Sequence, residues 1–186
     1  MRVIAGRARG RRLIAPQSSR RRGDSVVRPT SDLVRGAIFS ALASLQADMS
    51  RVLDLYAGSG ALGIEAISRG ADWCDFVEQD RATCETIRQN LRATGFEHQA
   101  RVYALSAVRA LDKLGGPYTL VLADPPYEDE RAVGVLESLS GRGLVRQRET
   151  LLVLEHSARN EPKSEIGGLA LVSSRRHGDS GISIYR

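Results

Sequence analysis

The stretch from Arg51 to Ala66, RVLDLYAGSGALGIEA, constrains the chain more than any other. Val52 to Tyr56 is an apolar run broken only by Asp54, and it ends at a glycine turn, which is the pattern of a short strand buried on both faces. Gly58 and Gly60 permit a tight turn with positive φ and close backbone approach. From Ala61 the apolar positions Leu62, Ile64, Ala66 and Ile67 suit a helix packed on a sheet. Strand, glycine turn and helix in that order open a nucleotide-binding βαβ unit, with the ligand expected outside the carboxyl ends of the strands.

The glycines alone leave the ligand open. Gly58-Ser59-Gly60-Ala61-Leu62-Gly63 satisfies the dinucleotide pattern, and Glu78 follows Gly58 by twenty residues, so a nicotinamide dehydrogenase is one reading. Two features point elsewhere. Asp54 sits inside the strand, where a carboxylate suits an ammonium-bearing ligand better than a pyrophosphate. Downstream, Leu120-Val121-Leu122-Ala123 runs into Asp124-Pro125-Pro126-Tyr127, which has no place in hydride transfer. Together the two stretches resemble the class I S-adenosylmethionine-dependent methyltransferases, in particular those acting on a planar exocyclic nitrogen.

Strand and helix patterns alternate along most of the chain. Leu33, Val34, Ala37, Ile38, Ala41, Leu42 and Leu45 form one helical stripe that Thr30 or Ser31 can cap. Strands are expected at 73–78, 101–104, 118–123 and 151–155, and helices near 61–69, 82–93, 107–114 and 131–139. Leu169–Ser173 and Ile182–Tyr185 read as a closing pair of strands. The fold class is therefore α/β: a Rossmann-like, mainly parallel sheet with one antiparallel strand near the C-terminus. Val3–Ala5 and Arg12–Ala15, around Gly6 and Gly10, read as an N-terminal β-hairpin extension.

Charge divides the chain. Residues 1–36 hold ten arginines against Asp24 and Asp32, a balance of +8; the whole chain carries +5, so the remainder is −3. A basic arm on a slightly acidic body suggests a polyanionic partner. We divide the chain into a basic RNA-binding arm, 1–29, and a catalytic domain, 30–186. Arg7, Arg9, Arg11, Arg12, Arg20, Arg21, Arg22 and Arg28 are the expected phosphate contacts. The arm has no aromatic residue to stack on bases, and the core is expected to form without it. Cys74 and Cys84 lack metal-ligand spacing and read as buried free thiols of a reducing compartment, hence a cytoplasmic location. The N-terminus has no apolar run of the kind a signal peptide needs, and no 18-residue apolar stretch exists to span a membrane.

Each candidate residue has a chemical reason. Methyl transfer is an in-line displacement, so holding and aligning donor and acceptor can supply much of the acceleration. Glu78, at the tip of the second strand, can accept from both ribose hydroxyls of the donor. Tyr56, Gly58 and Gly60 form the turn beside it, Asp54 can attract the donor's ammonium directly or through water, and Gln79, Ser106 and Ala107 lie at the adenine. The amino group of guanine or adenine is conjugated with its ring and is a poor nucleophile. Asp124 and the Pro125 carbonyl can accept its two N–H bonds and favour a pyramidal nitrogen. Pro125 and Pro126 fix the carbonyl's direction, and Tyr127 offers a face for an extruded base. No metal is expected.

At this point the sequence resembles a family, the bacterial 16S rRNA guanine-N2 methyltransferases of the RsmD type. The resemblance covers nearly the whole chain. It rests on Arg2-Val3-Ile4-Ala5-Gly6 with Arg11-Arg12-Leu13, Arg28-Pro29-Thr30, Leu53 to Gly63, Ser68-Arg69-Gly70-Ala71, Asp124-Pro125-Pro126-Tyr127 and His177-Gly178-Asp179. Ser106 stands where the family often has Asn, and His177 where it often has Tyr. The resemblance implies S-adenosylmethionine as donor and one guanine of 16S rRNA as acceptor, in an assembled or assembling small subunit, by a monomer. Three other readings remain: an adenine-N6 or protein-glutamine methyltransferase with the same Asp-Pro-Pro-Tyr chemistry, the dehydrogenase, and a non-catalytic RNA-binding protein. A DNA enzyme would need a separate target-recognition domain, for which the chain has no room, and the basic arm suits RNA better than protein.

Overall fold

A computed structural model describes residues 1–16, 32–126, 129 and 131–186. Its elements are α1 (Asp32–Ser44), β1 (Arg51–Leu55), α2 (Ala61–Ser68), β2 (Trp73–Glu78), α3 (Arg81–Thr94), β3 (Ala100–Ala104), α4 (Ala107–Ala110), β4 (Leu120–Ala123), α5 (Ala132–Gly141), β5 (Leu151–Ser157), β6 (Glu165–Ile166), β7 (Leu169–His177) and β8 (Ser180–Tyr185). They build one sheet in the order β3-β2-β1-β4-β5-β8-β7-β6. Strands β1 to β5 run parallel, as the alternating pattern predicts. The antiparallel part is larger than the single strand expected, because β8 pairs with β5, β7 with β8 and β6 with β7.

The two faces of the sheet hold separate apolar layers. Val52, Phe76, Leu122, Val153 and Ile182 pack against Ile38 and Leu42 of α1, Ile64 and Ile67 of α2 and Ile87 of α3. Leu53, Val121, Leu152 and Tyr185 pack on the other face with Ala110 of α4 and Val135 and Leu139 of α5. Strands that are apolar on both sides follow from this burial, which is why their sequences read as runs. Helix α2 lies close on β2 because Gly63 has no side chain: a Cβ there would stand 2.4 Å from the Phe76 ring. Asp80 caps α3 by accepting from the Thr83 backbone N–H at 2.8 Å, and Gly95 ends it in a left-handed conformation. The expected helix over 107–114 is regular only over Ala107–Ala110. Among the described residues no helix is long and apolar enough to cross a membrane. Cys74 and Cys84 are buried free thiols.

The N-terminal segment reverses direction around residues 6–10 and carries one antiparallel bridge, Arg2 to Arg12, in place of the two strands expected. Val3 N–H still donates to the Arg11 carbonyl, Gly10 N–H to Val3 and Leu13 N–H to Met1, so the expected hairpin forms, while other backbone groups bond to side chains of the body. The Ile4 and Ala5 N–H groups donate to the buried Glu65 carboxylate at 2.8 and 3.0 Å, and Ala8 N–H to Ser68 Oγ at 3.0 Å. Asn90 of α3 accepts from Ile14 N–H at 2.7 Å and donates to the Ile14 carbonyl at 3.0 Å. Val3, Ala8 and Leu13 are buried in the same layer as α1 to α3. Residues 1–16 are therefore built into the core, contrary to the expectation that the core forms without them. Arg35, counted with the basic end of the chain, is fully buried and donates to the Arg2 carbonyl and to Asp32.

Candidate active site

The chain leaves β1 toward β2 on one side, and β4 lies against β1 on the other, with Leu55 opposite Ala123. This is the reversal in strand order at which open α/β sheets bind ligands. It sets the turn after β1, residues 56–60, beside Asp124, which follows the last residue of β4.

On the β1–β2 side the polar groups are pinned. Glu78, half-buried at the end of β2, accepts from the Gly58 N–H at 3.0 Å through Oε2 and from the Asp80 N–H at 2.8 Å through Oε1. Burial pushes its carboxyl above the usual range; the N–H groups of Asp80, Gly58 and Gln79 oppose that, and the Asp80 charge adds to it. Gly58 has φ +53, and the space where its Cβ would point is open. Tyr56 is held at φ 69, an uncommon conformation for a bulky residue. Its hydroxyl is buried without a hydrogen-bond partner among the described residues. Burial, with the nearby Asp129 charge, pushes this phenol up to about 12. Ser106 and Ala107 stand where β3 passes into α4, beside an exposed Val108, and Gln79 is exposed.

Asp54 is enclosed. It is 1% exposed and accepts from the Gly63 N–H at 2.8 Å, tying β1 to α2. Burial, with repulsion from Asp124 and Glu78, pushes its carboxyl up to about 8 against the Gly63 hydrogen bond. A group so enclosed does not face a ligand's ammonium directly.

On the β4 side, Asp124 is half-buried, Pro125 buried and Pro126 exposed. The Pro126 carbonyl accepts from the Asp129 N–H at 2.8 Å, closing a turn, and Asp129 pairs with Arg131. Tyr127 lies outside the described residues, as do Arg20, Arg21, Arg22 and Arg28 and the helix-capping Thr30 and Ser31.

The remaining arm arginines divide. Arg7 is committed to the fold: it donates to the Ile67 carbonyl and to Gln99 and stands over the Phe96 ring at 5.2 Å. Arg9, Arg11 and Arg12, exposed like Arg7, make no such tie to the body among the described residues. The segment carrying them meets the glycine turn, since Asn90 bridges the carbonyls of Ile14 and Ser59 and Met1 Sδ lies 3.7 Å from Ser59 Oγ. A cavity of about 310 Å³ lies off the site, between α3 and β3. A second, about 270 Å³ and lined by Ser157, Arg159, Arg176 and Asp179, lies at the carboxyl end of β5.

Sequence reasoning missed two contributors. Asn90 reads as a polar position on α3 and turns out to link the arm to the glycine turn. Glu155 reads as the end of an apolar strand, yet it is 5% exposed at the carboxyl edge, one strand over from Asp124. An acid closing an otherwise apolar run was the available signal.

Comparison with known proteins supplies relatives of this arrangement. The family model described as conserved hypothetical protein 95 matches residues 1–186. A Bacillus subtilis protein provisionally named rRNA methyltransferase YlbH is 33% identical over all of this chain and 98% of its own length. The ribosomal RNA small subunit methyltransferase D of Escherichia coli K12 is 36% identical over 86% of this chain and 76% of its own. Among solved structures, an Escherichia coli protein provisionally named methyltransferase yhhF superposes with a TM-score of 0.83 at 31% identity, over all of this chain and 96% of that one.

Proposed function

The chain belongs to the family described as conserved hypothetical protein 95, and from that premise we propose that it methylates the exocyclic N2 of one guanine in 16S rRNA, with S-adenosylmethionine as donor. The observation that carries the reading is the juxtaposition across β1 and β4: a pinned glycine-turn site on one side and Asp124-Pro125-Pro126 on the other. The names of the relatives, small-subunit rRNA methyltransferases among them, support the substrate class.

The residues fit the donor. Two backbone N–H groups hold the Glu78 carboxylate in place and leave each oxygen a further lone pair, so it can accept from a vicinal diol such as a ribose. The open space over Gly58 admits a ligand close to the backbone. Ser106, Ala107 and the exposed Val108 offer a small polar and apolar surface for an aromatic ring. When bound, S-adenosylmethionine supplies an electrophilic methyl group on a sulfonium.

The acceptor side prepares the nucleophile. Asp124 accepts one N–H of the guanine amine and the Pro125 carbonyl accepts the other, which draws the nitrogen lone pair out of conjugation. The two prolines offer no competing N–H at this turn. Tyr127 stacks on the extruded base. No group of raised pKa is needed as base, because the alkylated nitrogen is acidic and sheds its proton readily. Arg9, Arg11 and Arg12, with Arg20, Arg21, Arg22 and Arg28, contact phosphates and position the base without reading it. In this division residues 1–29 present charge to RNA, with residues 1–16 also packed into the core, 30–186 serve chemistry, and the protein works as a monomer in the cytoplasm on the assembled or assembling small subunit.

The test is transfer of labelled methyl from S-adenosylmethionine to small subunits, and separately to naked 16S rRNA, lacking the modification. The product nucleoside is identified by mass. N2-methylguanosine at a single position is expected. Label appearing as N6-methyladenosine, or in ribosomal protein, overturns the guanine assignment.

A further inference from the structure

Strand β5 brings another carboxylate to the reacting edge. Val153 faces the layer built by α1 to α3, and Glu155, two residues on along the same strand, shares that face and pairs with Ile182 of the same layer. Leu122 of β4 faces that layer as well, and Asp124, which follows the last residue of β4, lies near enough to the carboxyl of Asp54 on β1 for its charge to act there. Ala123, the last residue of β4, lies opposite Leu154 on the adjacent strand roughly 5 Å away, so Asp124 and Glu155 each follow a residue of this last paired position. Glu155 is 5% exposed, and the Ser180 hydroxyl donates to its Oε1 at 2.8 Å, which holds that oxygen against β8. Burial of a carboxylate is costly, and Leu151, Leu152, Val153 and Leu154 before it are all buried apolar residues.

Guanine presents two kinds of donor side by side on its Watson–Crick edge, the N1–H and the N2 amine, both borne on the same corner of the ring. A base whose amine is held at Asp124 therefore presents N1–H to a neighbouring acceptor. Adenine held by its N6 amine presents the bare lone pair of N1 at that place, and a carboxylate repels it. We propose that Glu155 is the residue that selects guanine, by accepting its N1–H while Asp124 accepts from N2. The proposal rests on the N2-methyltransferase reading above. It gives the buried acid a function in base choice and gives Ser180 one in orienting it. Flipped bases are read by hydrogen bonds to this same edge. A site built on such a bond rejects an analogue that lacks the donor, because the buried acceptor is then left facing a lone pair.

The experiment uses small subunits rebuilt with 16S rRNA that carries one of three bases at the mapped target: guanine, 2,6-diaminopurine or adenine. Diaminopurine keeps the 2-amino nucleophile and has a bare N1. The full-length chain is expected to methylate guanine about 100-fold faster, in kcat/KM, than diaminopurine. Glu155→Gln keeps an acceptor for Ser180 and can donate to a bare N1; it is expected to bring the two bases to within a few-fold of each other, chiefly by losing guanine activity. Unchanged donor affinity and thermal unfolding certify that the variant is folded. Equal rates on guanine and diaminopurine for the unaltered chain overturn the role of Glu155 and leave the N2 reading standing, as does an unchanged preference in Glu155→Gln. No transfer to guanine by the unaltered chain, with transfer to adenine, overturns both.

Discussion

The two halves of the carboxyl edge are built differently. Between β1 and β2, Glu78 receives two backbone N–H bonds, Asp54 receives one from α2, and the Gly60 N–H is bonded to the Ala57 carbonyl at 2.7 Å. Between β4 and β5, Asp124 is half-buried and Pro126 exposed, Ser180 holds one oxygen of Glu155, and among the described residues the Asp129 N–H closes a turn on the Pro126 carbonyl. The difference matches the two substrates such an enzyme must hold. Under the proposed function one half meets the same small molecule in every turnover, so rigid acceptors are an advantage there. The other must take a base from outside and shape its amine only along the reaction path. Changes in the first half should therefore show in stability and donor affinity, and changes in the second in turnover.

The largest effect expected from this contrast is a pH dependence of stability. The carboxyl of Asp54 is pushed from 3.8 to about 8 in the fold, mainly by burial. A raised acid binds its proton more tightly folded than unfolded. Its contribution is thus fully present below about pH 4 and is lost as pH rises to about 8, up to roughly 5 kcal/mol across that window. Asp54→Asn keeps an acceptor for the Gly63 N–H and does not titrate. Urea unfolding at a series of pH values should show the natural chain losing stability through this window more steeply than the variant, so that the variant gains on it above pH 8. Parallel pH profiles would mean that Asp54 is ionised in the fold and that the donor half is not built around a buried acid.

Next in size is Asp124→Ala. The fold and donor affinity should persist, and kcat should fall by about 100-fold or more, because the amine is no longer aligned. Calorimetry with S-adenosylmethionine beside steady-state methylation of small subunits separates the two quantities. A variant that loses donor binding and keeps its turnover would reverse the assignment of the halves.

Glu78→Ala tests the other side. Loss of a half-buried acceptor of two hydroxyls should weaken donor binding by about 1–3 kcal/mol, with RNA affinity unchanged. Since burial raises the carboxyl of Glu78, donor affinity in the natural chain should also fall as pH drops through its raised value, above 4.5, as protonation removes an acceptor. A donor affinity indifferent to both changes would remove Glu78 from the site.

How much of this was legible beforehand depended on whether a residue acts through its neighbours in sequence or across the fold. The β1 strand, its glycine turn and α2 were readable because period, turn and helix are local, and the β4 strand running into Asp124-Pro125-Pro126 was readable for the same reason. Glu78 was found by its spacing from Gly58, and the structure sets the two 3.0 Å apart. The Gly63 partner of Asp54 was not legible because it lies on the next element, and only packing decides whether a strand acid faces a cleft or a helix. Glu155 went unread because its neighbour Asp124 is 31 positions away and adjacency comes from strand order. The arm was misjudged in the same manner: Ile4 and Ala5 look like strand residues, and their N–H groups go to Glu65, sixty positions on.

That last misjudgement decides how the smallest effect must be measured. Deleting the arm would bare the layer that Val3, Ala8 and Leu13 cover, roughly 1.5–3 kcal/mol for each larger side chain, and leave the buried Glu65 carboxylate short of two donors. A truncated chain would then fail for reasons of folding and say nothing about RNA. Neutralising charge in place avoids this, because Arg9, Arg11 and Arg12 are exposed while Arg7 is committed to Ile67, Gln99 and Phe96. Each of Arg9→Gln, Arg11→Gln and Arg12→Gln should leave unfolding and donor affinity as they are. Each should flatten the plot of log RNA affinity against log salt by about 0.7–0.9 units if the residue meets a phosphate. The loss should be the same on target and unrelated RNA, since phosphate contacts carry no sequence information. Arg7→Gln should do the opposite, lowering stability and leaving the salt slope alone. Salt slopes that do not change in any of the first three would make the exposed arginines of the arm a solvated surface, and would move the RNA grip to the basic groups at the far end of the same edge, Arg159 and Arg176.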